Sequence, residues 1–215
     1  MKRISIRVCQ FILLPLLASL TACREPQTDS DWTLTPPAAD AEAVSATEQL
    51  GGIYPAGSRL PDKKALGGFG PCDNFPHDLG GKDWGDKGAV SVIAFRDEPC
   101  AYFKNRGIVL RVVNRTRKDM PFDASDSSLF LVAEAKDQQG EWRMIESMPR
   151  TFCGNSFHRV FLEPDQYWQF PAREYAGPVK TTLRYRLDRA EDAASIYSNE
   201  FEGRISATQF EPLRK

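Results

Sequence analysis

Apolar and polar residues alternate with a period of two through most of the chain after Ala89, as in strands that bury one face. Ile108, Leu110 and Val112 fall on one face and Arg111 on the other. Val160 and Leu162 lie in phase with His158, and Leu183, Tyr185 and Leu187 oppose Arg184 and Arg186. Runs rich in β-branched and aromatic residues occupy 89–95, 108–114, 129–135, 141–146, 157–163, 167–171, 181–187 and 196–205. Turn-forming residues separate them at 105–107, 123–128, 137–140, 153–156 and 163–165. Gln138-Gln139-Gly140 is the clearest hairpin signal, because Gly140 can supply a positive φ between two such runs. This spacing predicts an all-β fold, an antiparallel β-sandwich over residues 89–215, with Trp142 and Trp168 as candidates for its inter-sheet centre.

The pattern differs upstream. Residues 51–88 hold 10 of the 15 glycines, with prolines at 55, 61, 71 and 76, which suits turns rather than long regular elements. Tyr54, Leu60, Leu66, Phe69, Phe75 and Trp84 are too many large apolar groups for a solvated linker, so this glycine-rich segment is expected to pack irregularly on the sandwich. Residues 23–50 set Glu25, Asp29, Asp31, Asp40, Glu42 and Glu48 against Arg24 alone, and read as a flexible acidic tether. A short helix is expected within it over 38–50, stopping at Gly51-Gly52.

Composition narrows the function classes. A hydrophobic fraction of 41% can build a core, and a net charge of −1 argues against nucleic acid as a partner. With His77 and His158 as the only histidines, a histidine-rich metal site is excluded. One long apolar run, Val8–Leu20, follows Lys2, Arg3 and Arg7, which is the order of a secretory signal peptide. As a helix it would reach about 20 Å, short of the roughly 30 Å hydrocarbon core of a bilayer.

Leu20-Thr21-Ala22-Cys23, at the end of that run, resembles the lipobox of bacterial lipoproteins. The resemblance implies a signal peptide over residues 1–22, cleavage before Cys23, and palmitate-class acylation of Cys23 as the membrane anchor. Arg24 is similar to the outer-membrane-directed class, which implies the outer membrane of a Gram-negative envelope. The alternative is an ordinary signal peptide cut after Ala22, leaving Cys23 a thiol. The β-rich body resembles the immunoglobulin-like sandwiches of bacterial exported proteins, through the segment Cys153–His158, Tyr167-Trp168, Leu183-Arg184 and Ser198–Phe201. That resemblance brings no activity with it.

Cys9 leaves with such a signal peptide, so Cys72, Cys100 and Cys153 remain as an odd set in a disulfide-permissive compartment. Cys72–Cys100 is the favoured pairing, stapling the glycine-rich segment to the body and worth about 3–4 kcal/mol in the chain-entropy account. Cys100–Cys153 is the rival.

Chemistry has few candidates. There is no G-x-S-x-G elbow, phosphate-binding loop, H-E-x-x-H or C-x-x-C. Cys153 and His158 form a candidate reactive pair, since a thiolate needs a neighbouring base. In the structural alternative His158 is a hydrogen-bonded histidine of the sandwich. Cys72, Asp73, His77 and Asp78 offer mixed ligands for zinc, and Asp78, Asp83 and Asp86 oxygen ligands for calcium, against the plainer reading of a solvated turn. Arg159, Arg184, Arg186 and Arg189 suggest a cationic strip, and Tyr167, Trp168, Tyr175 and Tyr197 a sugar platform, against solvated faces and core packing. No catalytic, cofactor or metal site is assigned. The expectation is a membrane-anchored, non-catalytic binding or structural domain with an envelope protein or polysaccharide as partner. The alternatives are an envelope thiol or metal-dependent enzyme, and a carbohydrate-binding module.

Overall fold

Period-two alternation becomes a stack of antiparallel strands, seen in a computed structural model that describes residues 34–149, 154–189 and 193–211. The strands are β1 (Val44–Ser45), β2 (Leu50–Gly51), β3 (His77–Asp78), β4 (Val90–Tyr102), β5 (Asn105–Asn114), β6 (Met120–Ser125), β7 (Ser128–Leu129) and β8 (Leu131–Lys136). They continue with β9 (Trp142–Met144), β10 (Glu146–Ser147), β11 (Phe157–Leu162), β12 (Gln166–Arg173), β13 (Tyr175–Ala176), β14 (Val179–Leu187), β15 (Ile196–Tyr197) and β16 (Phe201–Ile205). One sheet runs β3-β12-β5-β4, a second β15-β14-β8-β9 with β16 also on β14, and a third β11-β6-β7. Every pairing within these three sheets is antiparallel.

Their inner faces close on one core. Ile108, Leu110, Trp168 and Phe170 from the first sheet meet Leu131, Tyr185 and Leu187 from the second, with Phe122 and Leu162 from the third. The fold is therefore an antiparallel β-sandwich. Trp168 sits at its centre, fully buried, with its ring edge-on to Phe122 and its Nε1–H donating to the Gly57 carbonyl at 2.8 Å. Trp142 does not reach the centre. It lies on the outer face of the second sheet, half-buried, between Lys136 and the Arg184 guanidinium.

β8 and β9 form the hairpin expected at Gln138-Gln139-Gly140, with Gly140 at φ +83° and its N–H donating to the Asp137 carbonyl. β6 was not legible as a strand: residues 123–128 read as turn formers, whereas the turn is confined to Asp126-Ser127, both at positive φ. Phe122 and Ala124 still alternate inward, which holds β6 in register with β11.

β5 is buried almost throughout, because its second face is covered as well. The glycine-rich segment lays Leu79 and Trp84 over Val113 and Tyr167 there, and Arg111 is trapped beneath, 7% exposed, with Trp84 and Phe95 on its guanidinium at 4.1 and 4.3 Å.

Two expectations for residues 34–50 need correction. No helix forms over 38–50, and the segment is docked rather than a free tether. β1 pairs parallel with β13, β2 pairs parallel with β10, and Ala46 and Gln49 are buried. The cause is backbone pairing with strand edges: Val44 N–H donates to the Glu174 carbonyl, and the carbonyls of Thr35 and Glu42 accept from Ala101 and Arg106. A local sequence cannot display partners of that kind. Cys23 and residues 1–33 lie outside the described residues.

β4 and β5 carry one irregularity. Pairing jumps from Phe95 to Pro99, leaving Arg96, Asp97 and Glu98 as a bulge out of register with β5, from which Arg111 still donates to the Glu98 carboxylate at 2.8 Å.

Candidate functional site

His158 occupies the inward face of β11, where alternation put it, and is 7% exposed. Its Nδ1 lies 3.1 Å from the Ser156 carbonyl and its Nε2 3.4 Å from Ser127 Oγ, which itself donates to the Gly70 carbonyl at 2.7 Å. Phe69 stacks on the imidazole at 3.7 Å between centroids. One ring face, through Phe69, and Nε2, through Ser127 and Gly70, thus link His158 to the glycine-rich segment, while Nδ1 is held by the neighbouring Ser156 carbonyl. Cys153, the other half of the candidate pair, lies outside the described residues.

Cys72 and Cys100 carry free thiols, so the expected bridge between them is not formed. Cys100 is on β4, while the chain after Cys72 runs to β3 at the opposite edge of the same sheet. β5 and β12 stand between β3 and β4, three spacings of about 4.8 Å, whereas a disulfide tolerates a Cα separation of only roughly 4.4–6.8 Å. Burial pushes the Cys100 thiol up to about 11, and raises that of Cys72 as well. Neither is an activated nucleophile.

The 72–86 loop disperses its candidate ligands. His77 stacks on Tyr167, Asp78 accepts from Gln166, and Asp83 pairs with Arg115 at 2.6 Å. Among the described residues no three His, Cys, Asp or Glu side chains converge as a metal site.

The arginines and aromatics divide in the same way. Glu134, 2% exposed, accepts from Arg184 Nε and Arg186 Nη1, and Asp188 also pairs with Arg186 at 2.9 Å, so two carboxylates match those two cations on the sheet face. Arg159 faces Asp123. Of the proposed aromatic platform, Trp168, Tyr167 and Tyr175 are buried, and Tyr197 alone is exposed, with Arg184 against its ring.

Two groupings escaped the sequence. The first is a buried hub at Glu146, fully inaccessible, which accepts from Tyr54 Oη, Tyr175 Oη, Arg173 Nη1 and Ala133 N within 3.1 Å. Burial and the Glu146 charge raise the Tyr54 and Tyr175 hydroxyls well above the usual tyrosine range, so both remain donors. Burial is the largest influence on Arg173 and disfavours its charge, but the Glu146 carboxylate and the surrounding tyrosine hydroxyls together outweigh it, so the guanidinium stays charged.

The second is a pocket of about 160 Å³ at one end of the sandwich, between the first and second sheets. Ile108, Leu183 and Phe201 give it an apolar floor, and Arg96, Arg106, Arg173 and Arg204 line it together with Glu174. Arg106 grips Glu174 in bidentate fashion, which raises the guanidinium above its ordinary value, and Arg96 Nη1 reaches the same carboxylate at 3.4 Å. The β4 bulge places Arg96 there, as bulges commonly re-aim side chains. The broken alternation across Arg96-Asp97-Glu98-Pro99 was the one signal that pointed to it.

Compared with known families, curated proteins and solved structures, the chain matches none.

Proposed function

We propose that the protein is a lipid-anchored lipoprotein of the bacterial envelope, of the outer membrane in a Gram-negative cell, whose sandwich is immunoglobulin-like and serves binding rather than catalysis. The anchor rests on Leu20-Thr21-Ala22-Cys23, placed directly after a basic start and a short apolar run. The binding role rests on the pocket between the sheets, where several guanidiniums face a single carboxylate above an apolar floor. A thiol mechanism has less support, because His158 spends both ring nitrogens on structural contacts. A carbohydrate platform has less again, because Trp168 is the core of the fold.

Intact and peptide mass spectrometry of the unreduced protein from native membranes tests the anchor. The expected result is an N-terminal peptide beginning at Cys23 and carrying acyl mass. A peptide beginning at Cys23 without acyl mass, or one that retains residues before it, overturns the lipoprotein reading.

A further inference from the structure

The charge balance of the pocket specifies a ligand class. Arg173 is already matched by Glu146, which leaves Arg96, Arg106 and Arg204 facing Glu174 alone, a surplus of two positive charges. Arg96 also donates from Nε to the Glu202 carbonyl, and Arg204 donates from Nε and Nη2 to the carbonyls of Gly177 and Pro178. These contacts fix the planes of two guanidiniums and leave Arg96 Nη2, Arg106 Nη1 and Arg204 Nη1 without a hydrogen-bond partner among the described residues. Guanidiniums held by their own backbone contacts are pre-organised for a multi-oxygen anion.

A phosphate monoester carries about −2 charge and three acceptor oxygens, which fits this surplus. A carboxylate would bring one charge and duplicate Glu174. The floor of Ile108, Leu183 and Phe201 suits a short carbon skeleton on the phosphate. We propose that this pocket binds a phosphate monoester, its oxygens taken by Arg96, Arg106 and Arg204 and its carbon portion lying on the apolar floor. The proposal rests on the reading of the sandwich as a binding domain, and does not depend on acylation at Cys23.

The test is calorimetric titration of the full-length protein in nonionic detergent at constant ionic strength. The probes are glycerol 3-phosphate, phosphatidic acid in mixed micelles, and succinate. Saturable binding of glycerol 3-phosphate is expected, weakened about tenfold or more by Arg96→Gln and strengthened several-fold by Glu174→Gln. Arg96 lies on an exposed bulge, so its loss should leave circular dichroism and the melting temperature unchanged. A misfolded Glu174→Gln protein could not bind more tightly. Phosphatidic acid competing at lower phosphate concentration than glycerol 3-phosphate identifies a lipid headgroup as the source, and equal competition identifies a soluble phosphate. Succinate binding in preference to phosphate overturns the phosphate assignment while sparing the binding role. No saturable binding of any probe, or binding indifferent to both substitutions, overturns the site.

Discussion

Glu146 shows how far a single residue can depart from its local sequence. It ends a short β run between Ile145 and Ser147, yet it is wholly buried and accepts four hydrogen bonds from groups on β8, β12, β13 and the glycine-rich segment. A buried ion pair of this kind adds little net stability over an apolar substitute, but removing one partner strands the other in a dry site. Glu146→Ala should therefore cost about 3–5 kcal/mol, with Arg173 left charged and buried. Urea unfolding at neutral pH checks this, and an unchanged m-value with a lowered midpoint is the expected form. A loss below about 1 kcal/mol would mean that water reaches Arg173 and that the hub is not dry. Arg111 carries the same lesson. Alternation assigns it correctly to the face opposite Leu110, but whether that face meets water depends on Trp84, which comes from 27 residues earlier in the chain.

At the scale of elements, the glycine-rich segment is attached to β11 through hydrogen bonds as much as through apolar burial. Asp62 accepts from the Lys64 and Arg159 amides, and Ser58 Oγ accepts from the Phe161 amide. Slight burial pushes the Asp62 carboxyl up, but those amides and the Arg159 charge outweigh it and hold the group below its ordinary value. A carboxyl depressed in the folded state contributes stability above its unfolded pKa, and that contribution disappears as pH falls through the folded value. Hydrogen-exchange protection of the Arg159 amide should therefore be constant near neutrality and decline as pH drops below the ordinary carboxylate range. In Asp62→Asn it should be weaker at neutral pH and show no such decline. Acid loss that persists in the Asn variant would assign the effect to another group. The strands of the body were legible because each buries alternate residues, a property that each segment carries within itself. β1 and β2 were not, because their stabilisation comes from the edges of β13 and β10, and only Val44, Ala46 and Leu50 hint at burial. The Cys72–Cys100 pairing failed for a similar reason: sequence separation carries no information on how many strands lie between two positions.

For the whole molecule, the functional boundary lies earlier in the chain than composition implies. Acidic residues continue evenly from Glu25 to Glu48, so the tether looked uniform to Leu50. The structure divides it, since the Thr35 carbonyl already accepts from Ala101 and β1 follows at Val44. The same segment joins the pocket, where Ala43 lies beside Arg106 and Glu174. If the proposed anchor at Cys23 holds, the link to the membrane starts before residue 34, and the pocket end of the sandwich is flanked by the docked segment through Ala43. Limited digestion of membrane-bound protein with a protease that cuts after acidic residues distinguishes the two boundaries. If the docked segment is part of the folded body, cuts should fall after Glu25, Asp29 or Asp31 and release a fragment that keeps residues 34–50. Glu42 and Glu48 should be spared until global unfolding, even though both side chains are exposed, because cleavage there requires the backbone beside β1 and β2 to leave its partners. Early cleavage after Glu42 or Glu48, with the remainder still folded, would show that β1 and β2 open independently, and would restore the longer tether. The fragment's own binding then tests whether the docked segment braces the pocket: a body that keeps residues 34–50 should hold glycerol 3-phosphate as the intact chain does, and one cut after Glu48 should bind it more weakly.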